Sequence, residues 1–149
     1  MTTRYKLIQL TNSAVGAVAV NDFLPLGNVT RRINAPCETS ETFQVTSSIA
    51  DTVTVTEPGF YKVTYSLTAT TAGAGVVTIG LITNGTQVYE VSNEVATEDT
   101  TVNFTLPYTI RVCPNSCATP TNCPVTVQLQ CTGEALTGTS SNLIIEKVH

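Results

Sequence analysis

The chain has 149 residues, a length that suits a single domain and leaves little room for a second one with its own core. Charged residues make up 12% of the sequence, about half the usual share, while 42% of residues are hydrophobic, which excludes a disordered polyelectrolyte. The 7 Lys and Arg stand against 11 Asp and Glu, giving a net charge of -4. Since no basic field is available to neutralise phosphates, we expect neither nucleic acid nor a membrane surface as a partner.

Two β-branched residue types dominate the composition, with 28 Thr and 18 Val. Both fit a pleated sheet and lose side-chain freedom in a helix. Apolar residues also recur at a spacing of two rather than at three and four. The sequence therefore predicts an all-β fold in one domain that covers residues 1–149.

The N-terminal part carries three candidate strands, at 5–10, 14–20 and 42–46. Residues 1–20 are interpreted as N-terminal strands or a docking arm, and residues 21–41 as a loop-like segment. The apolar run at 14–20 is shorter than the roughly 20 residues of a membrane span, and no cleavage site follows it. We therefore expect no Sec signal peptide.

Residues 60–69 show the clearest strand pattern. From Tyr61 onward the odd positions are apolar or aromatic and the even positions are polar. This alternation is typical of a strand that is buried on one face. Pro58 and Gly59 have the chemistry of a tight turn that leads out of a strand over 51–56.

The dipeptide Asn84-Gly85 is the strongest local signal in the sequence. Both central residues of a type I′ turn need a positive φ, which Asn and Gly adopt most readily. The dipeptide stands between apolar-rich runs at 76–83 and 86–91. We therefore predict a β-hairpin at this point.

The second half of the chain holds three more candidate strands, at 101–112, 125–131 and 142–148. In the first, the even positions form one long apolar face. Pro107 lies within it and has no N–H to donate to a ladder, so this strand is expected at a sheet edge or with a bulge.

Eight to ten short strands in a chain of this length predict a β-sandwich or a barrel, and a jelly roll satisfies the count. The aromatic side chains on the apolar faces of the two most regular strands are the predicted residues of the core or of a three-fold contact: Tyr61, Tyr65, Phe104 and Tyr108.

The sequence offers no group suited to catalysis. Its one histidine is the terminal residue, His149, where no packed surroundings would hold a general base. The carboxylates, among them Glu57 at a turn and Glu98 in a loop, are interpreted as solvated charges, and no spacing selects a pair for hydrolysis. We predict a protein that is not an enzyme and that binds no cofactor and no metal.

Cysteine is the unusual feature of the composition. Four of the five cysteines fall within 19 residues: Cys113, Cys117, Cys123 and Cys131. Three interpretations compete: the thiolates bind zinc, disulfides cross-link the Pro-rich loop 113–124, or the thiols stay free as small buried side chains. We favour at least one disulfide among them, because the loop has few apolar side chains to order it. The odd count leaves Cys37 free or paired across chains.

The segment 53–67 resembles the central signature of C1q/TNF-like jelly rolls, in which a strand, a Pro-Gly turn and an aromatic-rich strand follow one another. Residues 23–27, 79–86 and 143–145 resemble the bacterial and phage branch, which includes the C-terminal domain of the collagen-like spore glycoprotein and phage head decoration or fibre proteins. The resemblance implies a ten-stranded, two-sheet antiparallel jelly-roll sandwich that assembles as a compact homotrimer and acts by contact rather than by chemistry. The loop 113–124 departs from the family pattern and is interpreted as an insertion.

These observations favour a non-enzymatic structural protein. The leading hypothesis is a trimeric bacteriophage capsid decoration or head-fibre protein at the virion surface, with the major capsid protein as its docking partner. Its motivation is a jelly roll that begins at its own Met without a signal peptide or a stalk, together with low charge and apolar strand faces that suggest surface buried between subunits. The alternatives are a spore-coat or exosporium surface protein and a carbohydrate-binding adhesin, for which Tyr89 and Tyr108 are the candidate aromatic platform.

Overall fold

The computed structural model describes residues 6–13, 16–33, 42–45, 51–112 and 124–148. Within them, ten strands form two five-stranded sheets. In sheet A the strands lie in the order β2 (Asn28–Ile33), β1 (Leu7–Asn12), β10 (Leu136–Lys147), β5 (Gly59–Thr71) and β8 (Thr101–Val112). In sheet B the order is β3 (Phe43–Val45), β4 (Val53–Val55), β9 (Val125–Gly133), β6 (Gly75–Thr83) and β7 (Thr86–Val95). All of these neighbours pair antiparallel. The predicted all-β, two-sheet antiparallel sandwich is thus confirmed.

The core lies between the inner faces of the two sheets. Along β5 every second side chain is buried, and Tyr61, Val63 and Tyr65 are 0% exposed. Sheet B closes over them; the ring of Phe43 on β3 meets the ring of Tyr61 edge to face, with centroids 5.8 Å apart. Each fully buried side chain of this size stabilises the fold by about 1.5–3 kcal/mol relative to an exposed one.

The predicted hairpin joins β6 and β7. Asn84 and Gly85 have φ values of 49° and 80°, both positive, as a type I′ turn requires. The turn is also tied to β9, since Thr126 N donates to Asn84 Oδ1 at 2.9 Å and Asn84 N donates to Thr126 Oγ1 at 3.2 Å. These bonds fix the hairpin tip against the sheet.

Pro107 lies in β8, at the edge of sheet A. The pairing of β8 with β5 runs without a register shift from Gly59↔Val112 to Thr70↔Thr101 and includes Thr64↔Pro107. Of the two expectations for Pro107, the structure shows the edge strand and no bulge, because an edge strand needs only half of its N–H groups for the ladder.

The strand predicted over 14–20 is wrong. Of its described residues, 16–20, Val18 makes an isolated bridge with Leu136 and the others join no sheet strand. The chain then reverses at Asn21, whose φ is 73°. Most of this run is Gly and Ala, whose small side chains bury little apolar surface, so its alternating pattern is a weak signal for a strand. Beyond the reversal, Leu24 N donates to Leu129 O at 2.7 Å and continues sheet B beside β9.

The strand β2 lies within the segment 21–41 that was interpreted as a loop. All six of its residues are exposed or half-buried, so no hydrophobic alternation marks it, and it joins the sheet by pairing with β1. Gly27 leads into this strand with a φ of 86°, and a Cβ there would lie 2.0 Å from the carbonyl oxygen of Thr11. A glycine is therefore required where this segment crosses the end of β1.

Candidate functional site

The outer face of sheet A carries a continuous patch of uncharged side chains. Because strand neighbours are in register, these side chains form transverse rows. We call this patch the neutral face, and its members are Gln9, Thr11, Thr64, Ser66, Thr68, Asn103, Thr105, Pro107, Ser140, Asn142 and Ile144. All of them are exposed or half-buried. The sequence suggested apolar strand faces for subunit contacts, whereas the structure shows a face made mainly of hydroxyl and amide groups.

A shallow depression of about 450 Å³ crosses the neutral face. Two neighbouring rows of short side chains form it, with Ser66 in one and Thr68 in the other. Thr68 Oγ1 donates to Asn103 Oδ1 at 2.8 Å, and Gln9 Nε2 donates to Asn142 Oδ1 at 2.8 Å, so part of the surface is ordered by its own hydrogen bonds. No ionisable side chain lines the depression among the described residues.

Charges border the neutral face instead of occupying it. Lys62 and Glu146 face each other in the next row toward one end of the sheet, and Arg111 lies beyond them at the edge. Covering a hydroxyl or amide costs less desolvation free energy than covering an ion, and the cores of protein interfaces are depleted of charged residues. The neutral face is therefore the surface of sheet A that another protein would cover at the lowest cost.

A second groove lies where the edge strands β7 and β8 approach each other. Its volume is about 460 Å³, and Asn84, Val88, Tyr108 and Arg111 are among the residues that line it. The ring of Tyr89 on β7 stacks on the ring of Tyr108 on β8 with centroids 5.6 Å apart and a tilt of 33°. This tyrosine pair joins the edges of the two sheets.

Arg111 presents a cation beside this groove. Its guanidinium carbon lies 5.6 Å from the ring centroid of Phe60, the distance of a cation–π contact. Within the described part of the chain it makes no ion pair. The contact with Phe60 orients the guanidinium at the border of the neutral face.

The four predicted aromatic residues take two kinds of position. Tyr61, Tyr65 and Phe104 are buried in the sandwich, at most 3% exposed. Tyr61 also donates its hydroxyl to the carbonyl oxygen of Glu57 at 2.9 Å. Tyr108 is half-exposed and packs against the core through Tyr89. The structure thus brings Tyr108 to the surface groove and keeps the other three inside.

Cys131, one of the four disulfide candidates, is a free, buried thiol in this structure. It faces the core from β9, and its Sγ donates to the carbonyl oxygen of Glu134 at 3.3 Å. Burial raises the pKa of this thiol to about 11. Cys131 lies six positions beyond Val125, the first residue of β9, about 20 Å along an extended strand. The other candidates, Cys113, Cys117 and Cys123, lie outside the described residues, as does His149.

A buried ionic cluster is the feature that the sequence did not reveal. Lys6 is 1% exposed, and its Nζ donates to the carboxylate of Glu57 and, at 3.0 Å, to the hydroxyl of Thr42. Lys147 Nζ lies 3.6 Å from the same Glu57 oxygen. Glu57, interpreted as a solvated turn carboxylate, keeps 31% of its side chain exposed but is also paired with both lysines. No local pattern could have revealed the cluster, because its members come from four distant segments.

The charge state of Glu57 follows from this cluster. Desolvation by burial acts to raise the pKa of Glu57, but the hydrogen bond from Lys6, the charges of Lys147 and Lys6 and the hydrogen bond from Thr42 outweigh it. The pKa of Glu57 is therefore lowered, and the group is ionised at neutral pH. The ionised carboxylate thus lies against two cations, one from just before β1 and one from the end of β10.

The described ranges hold neither a cluster of metal-ligating side chains nor a membrane-spanning helix. No three His, Cys, Asp or Glu side chains in those ranges are grouped so that they would hold a metal ion. The same residues contain no helix long and apolar enough to span a membrane. The acidic residues near the end of β7, such as Glu94 and Glu98, are exposed.

Comparison with known proteins identifies the fold through structure alone. No family model and no curated protein sequence matches the chain. The globular domain of the zebrafish complement 1qA protein matches with a TM-score of 0.67 and 6% identity, over 97% of this chain and 98% of that one. Eiger TNF from S. frugiperda matches with a TM-score of 0.69 and 10% identity, over 99% and 94%. The chain has the C1q/TNF-like jelly-roll fold.

A phage protein shares the architecture. The PRD1 vertex protein matches with a TM-score of 0.60 and 13% identity, over 99% of this chain and all of that one. The structural neighbours thus include jelly rolls of the C1q and TNF kind and the vertex protein of a phage. At these identities the likeness concerns the fold.

Proposed function

We propose that this protein is a non-enzymatic structural protein that assembles as a homotrimer and decorates a bacteriophage capsid, as a decoration or head-fibre protein. The neutral face carries the proposal. It is a broad, uncharged surface on a jelly-roll sandwich, and the depression in it is lined by hydroxyl and amide groups that cannot perform acid–base chemistry near neutral pH.

The trimer would form through the neutral face. A stable protein interface buries about 800 Å² on each partner, an area that a five-stranded sheet face can supply. In a three-fold assembly each contact joins two different parts of neighbouring subunits, so the neutral face of every subunit would turn toward the shared axis and sheet B would turn outward. The resemblance to C1q/TNF-like jelly rolls, which implies a compact homotrimer, supports this arrangement, as does the absence of charge from the patch.

Attachment to a capsid is the second part of the proposal. A three-fold assembly matches the local three-fold positions of a capsid lattice, and the major capsid protein is the proposed partner. The likeness to the PRD1 vertex protein supports a place at the virion surface.

Mass spectrometry of purified virions tests the capsid assignment. We expect this chain at a fixed ratio to the major capsid protein, retained through density-gradient purification. Particles from the same genome that never contain the chain would contradict the capsid assignment. Its detection in purified spores would support the spore-coat alternative instead.

A carbohydrate-binding adhesin is the second candidate function, and the groove beside Tyr108 favours it. The groove places Tyr108, whose ring stacks on that of Tyr89, beside Asn84, which is held in place by Thr126, and the guanidinium of Arg111. Sugars bind to such combinations of ring faces and preorganised polar groups. A glycan array probed with wild-type protein and with Tyr108→Ala decides it: binding that depends on Tyr108 supports the adhesin, and the absence of binding removes it.

A further inference from the structure

The tip of the hairpin between β6 and β7 joins an amide side chain to a backbone nitrogen that nothing shields. Asn84-Gly85 is the one Asn-Gly pair in the sequence. Both residues are exposed, and a Cβ on Gly85 would meet no atom within 4 Å. In such a pair the nitrogen of Gly can attack the side-chain amide carbon of Asn, because Gly has no side chain to hinder the approach. The tip is therefore a candidate site of deamidation.

Deamidation would exchange the side-chain amide of Asn84 for a carboxyl group. The N–H of Gly85 gives its proton to water or hydroxide, and the nitrogen lone pair forms a bond to Asn84 Cγ. The Cγ–Nδ2 bond then breaks, and water returns a proton to the departing nitrogen, which leaves as ammonia. Water next adds to one of the two carbonyl carbons of the cyclic imide and opens the ring. The product is an aspartate or an isoaspartate, and no reactant besides water is consumed.

The conformation of the turn keeps the reacting atoms apart. The imide ring contains the Cα–C bond of Asn84, so Gly85 N must lie on the same side of that bond as the Cβ of Asn84. Asn84 has a φ of 49°, and a left-handed residue has a positive ψ as well, which places the next nitrogen roughly opposite its Cβ. The ring therefore closes only after the turn has opened, because the reaction needs the two atoms in near-attack geometry.

Thr126 on β9 holds Asn84 in this conformation. Thr126 N donates to Asn84 Oδ1 at 2.9 Å, and Thr126 Oγ1 donates to the same oxygen at 3.3 Å. Asn84 N donates to the carbonyl oxygen and to the hydroxyl of Thr126, each at 3.2 Å. The side-chain carbonyl of Asn84 thus continues the pairing of β6 with β9 one position beyond Thr83↔Val127.

The same contacts have two opposite effects on the chemistry. Donors on Asn84 Oδ1 stabilise the negative charge that develops there during an attack on Cγ, which favours the reaction. That effect operates only when Gly85 N reaches Cγ, and the paired turn prevents this. Gly85 N itself donates to no described residue, so the turn conformation is its restraint within the described part of the chain. Protection is therefore the dominant effect while the hairpin is paired.

We propose that Asn84 is a deamidation site that its contacts with Thr126 protect. The site converts when the tip separates from β9. An aspartate is compatible with the turn, since Asp-Gly also adopts type I′, and it adds a negative charge to the groove that Arg111 lines. An isoaspartate adds a carbon atom to the main chain and disrupts the pairing beside the turn. The proposal is independent of the function proposed above.

Deamidation rates of the folded and the unfolded wild-type protein test the site. Both samples are incubated at the same mildly alkaline pH, one of them in urea, and peptide mapping by mass spectrometry measures aspartate and isoaspartate at position 84. We expect the unfolded chain to convert at least about tenfold faster, because the folded protein must first open locally. Equal rates in the two states would overturn the proposal.

Thr126→Val tests whether the contact with β9 provides the protection. The substitution removes the hydroxyl contacts with Asn84 and keeps a β-branched side chain in the strand. A lost hydrogen bond favours local opening by about two- to tenfold, so the folded variant should deamidate faster by such a factor.

Thr132→Val is the matched control. Thr132 lies on the same strand and on the same face as Thr126, but it pairs with Thr78, away from the tip. We expect it to deamidate at the wild-type rate. Circular dichroism verifies that both variants are folded. Equal rates in folded Thr126→Val and Thr132→Val would contradict the protective role of Thr126. If Thr126→Val does not fold, the comparison of folded with unfolded wild type decides the proposal.

Discussion

Lys6 Nζ lies 2.5 Å from Glu57 Oε2, although the two residues are 51 positions apart and Lys6 is 1% exposed. Lys147, near the end of β10, places its Nζ 3.6 Å from the same oxygen, and its backbone N donates to the carbonyl oxygen of Lys6 at 2.9 Å. One carboxylate in the turn before β5 thus holds the beginning of the first strand and the end of the last strand of sheet A.

Removing this carboxylate should destabilise the fold. Glu57→Gln keeps the size of the side chain but removes the negative charge that the buried ammonium of Lys6 contacts. Breaking a buried pair in this way costs about 3–5 kcal/mol, and we expect the lower end, because the Glu57 side chain is 31% exposed. Urea unfolding followed by circular dichroism measures the change.

Glu94→Gln is the control for this substitution. Glu94 is exposed on β7, and its change should alter the unfolding free energy by less than about 0.5 kcal/mol. Equal urea midpoints for Glu57→Gln and the wild type would show that the Lys6–Glu57 pair contributes no net stability.

The same carboxylate predicts a specific loss of stability in acid. The pKa of Glu57 is lowered from 4.5 in the folded state, where the interactions with Lys6 and Lys147 outweigh the desolvation. A carboxyl with a depressed folded pKa contributes stability above its unfolded pKa, and that contribution is lost as the pH falls through the folded pKa. The wild-type urea midpoint should therefore fall more steeply than that of Glu57→Gln below about pH 5. Parallel midpoint curves for the two proteins would refute this assignment.

The cysteines should differ in reactivity. Cys131 is buried with a pKa of about 11, so in the native protein it should resist iodoacetamide at pH 8 and react after unfolding. Of Cys113, Cys117 and Cys123, at least two are expected to be bonded to each other, because the loop that carries them has few apolar side chains. Alkylation before and after reduction, followed by peptide mapping, measures both. If all five thiols of the unfolded protein alkylate without reduction, the predicted disulfide is excluded. Stoichiometric zinc in the same sample would indicate a metal site in its place.

Much of the fold could be predicted from local patterns. The alternation from Tyr61 to Ala69 has the period of two that a half-buried strand imposes, and it fixed the inner and outer faces of β5. Asn84-Gly85 specified its hairpin because few other dipeptides adopt two positive φ values. These signals depend on adjacent residues, so a single sequence carries them.

The rest depends on contacts between distant segments. The strand β2 has no buried face, and its backbone pairing with β1 is invisible in a local pattern. The first half of β10 was missed because its inward positions include Thr139 and Ser141 instead of apolar residues. The neutral face could not be predicted from the sequence either, because its rows depend on the register of four strands.

A charge placed on the neutral face should separate the proposed trimer. Thr68→Lys puts an ammonium in the depression, where burial without a counter-ion costs several kcal/mol and each 1.4 kcal/mol weakens association about tenfold. We expect a folded monomer. Thr78→Lys is the matched control, because Thr78 contacts Ser92 on its neighbouring strand at 2.8 Å, as Thr68 contacts Asn103, but lies on sheet B. Size-exclusion chromatography of both variants measures the outcome, and a Thr68→Lys protein that elutes with the wild type would place the interface elsewhere.

The mass of the wild-type protein in solution tests the central proposal most directly. Multi-angle light scattering coupled to size-exclusion chromatography reports that mass independently of shape. We expect three times the chain mass of 15.8 kDa, constant across the peak and on dilution. A mass of 15.8 kDa at every concentration would contradict the homotrimer and, with it, the assignment of the neutral face as the surface that the subunits share.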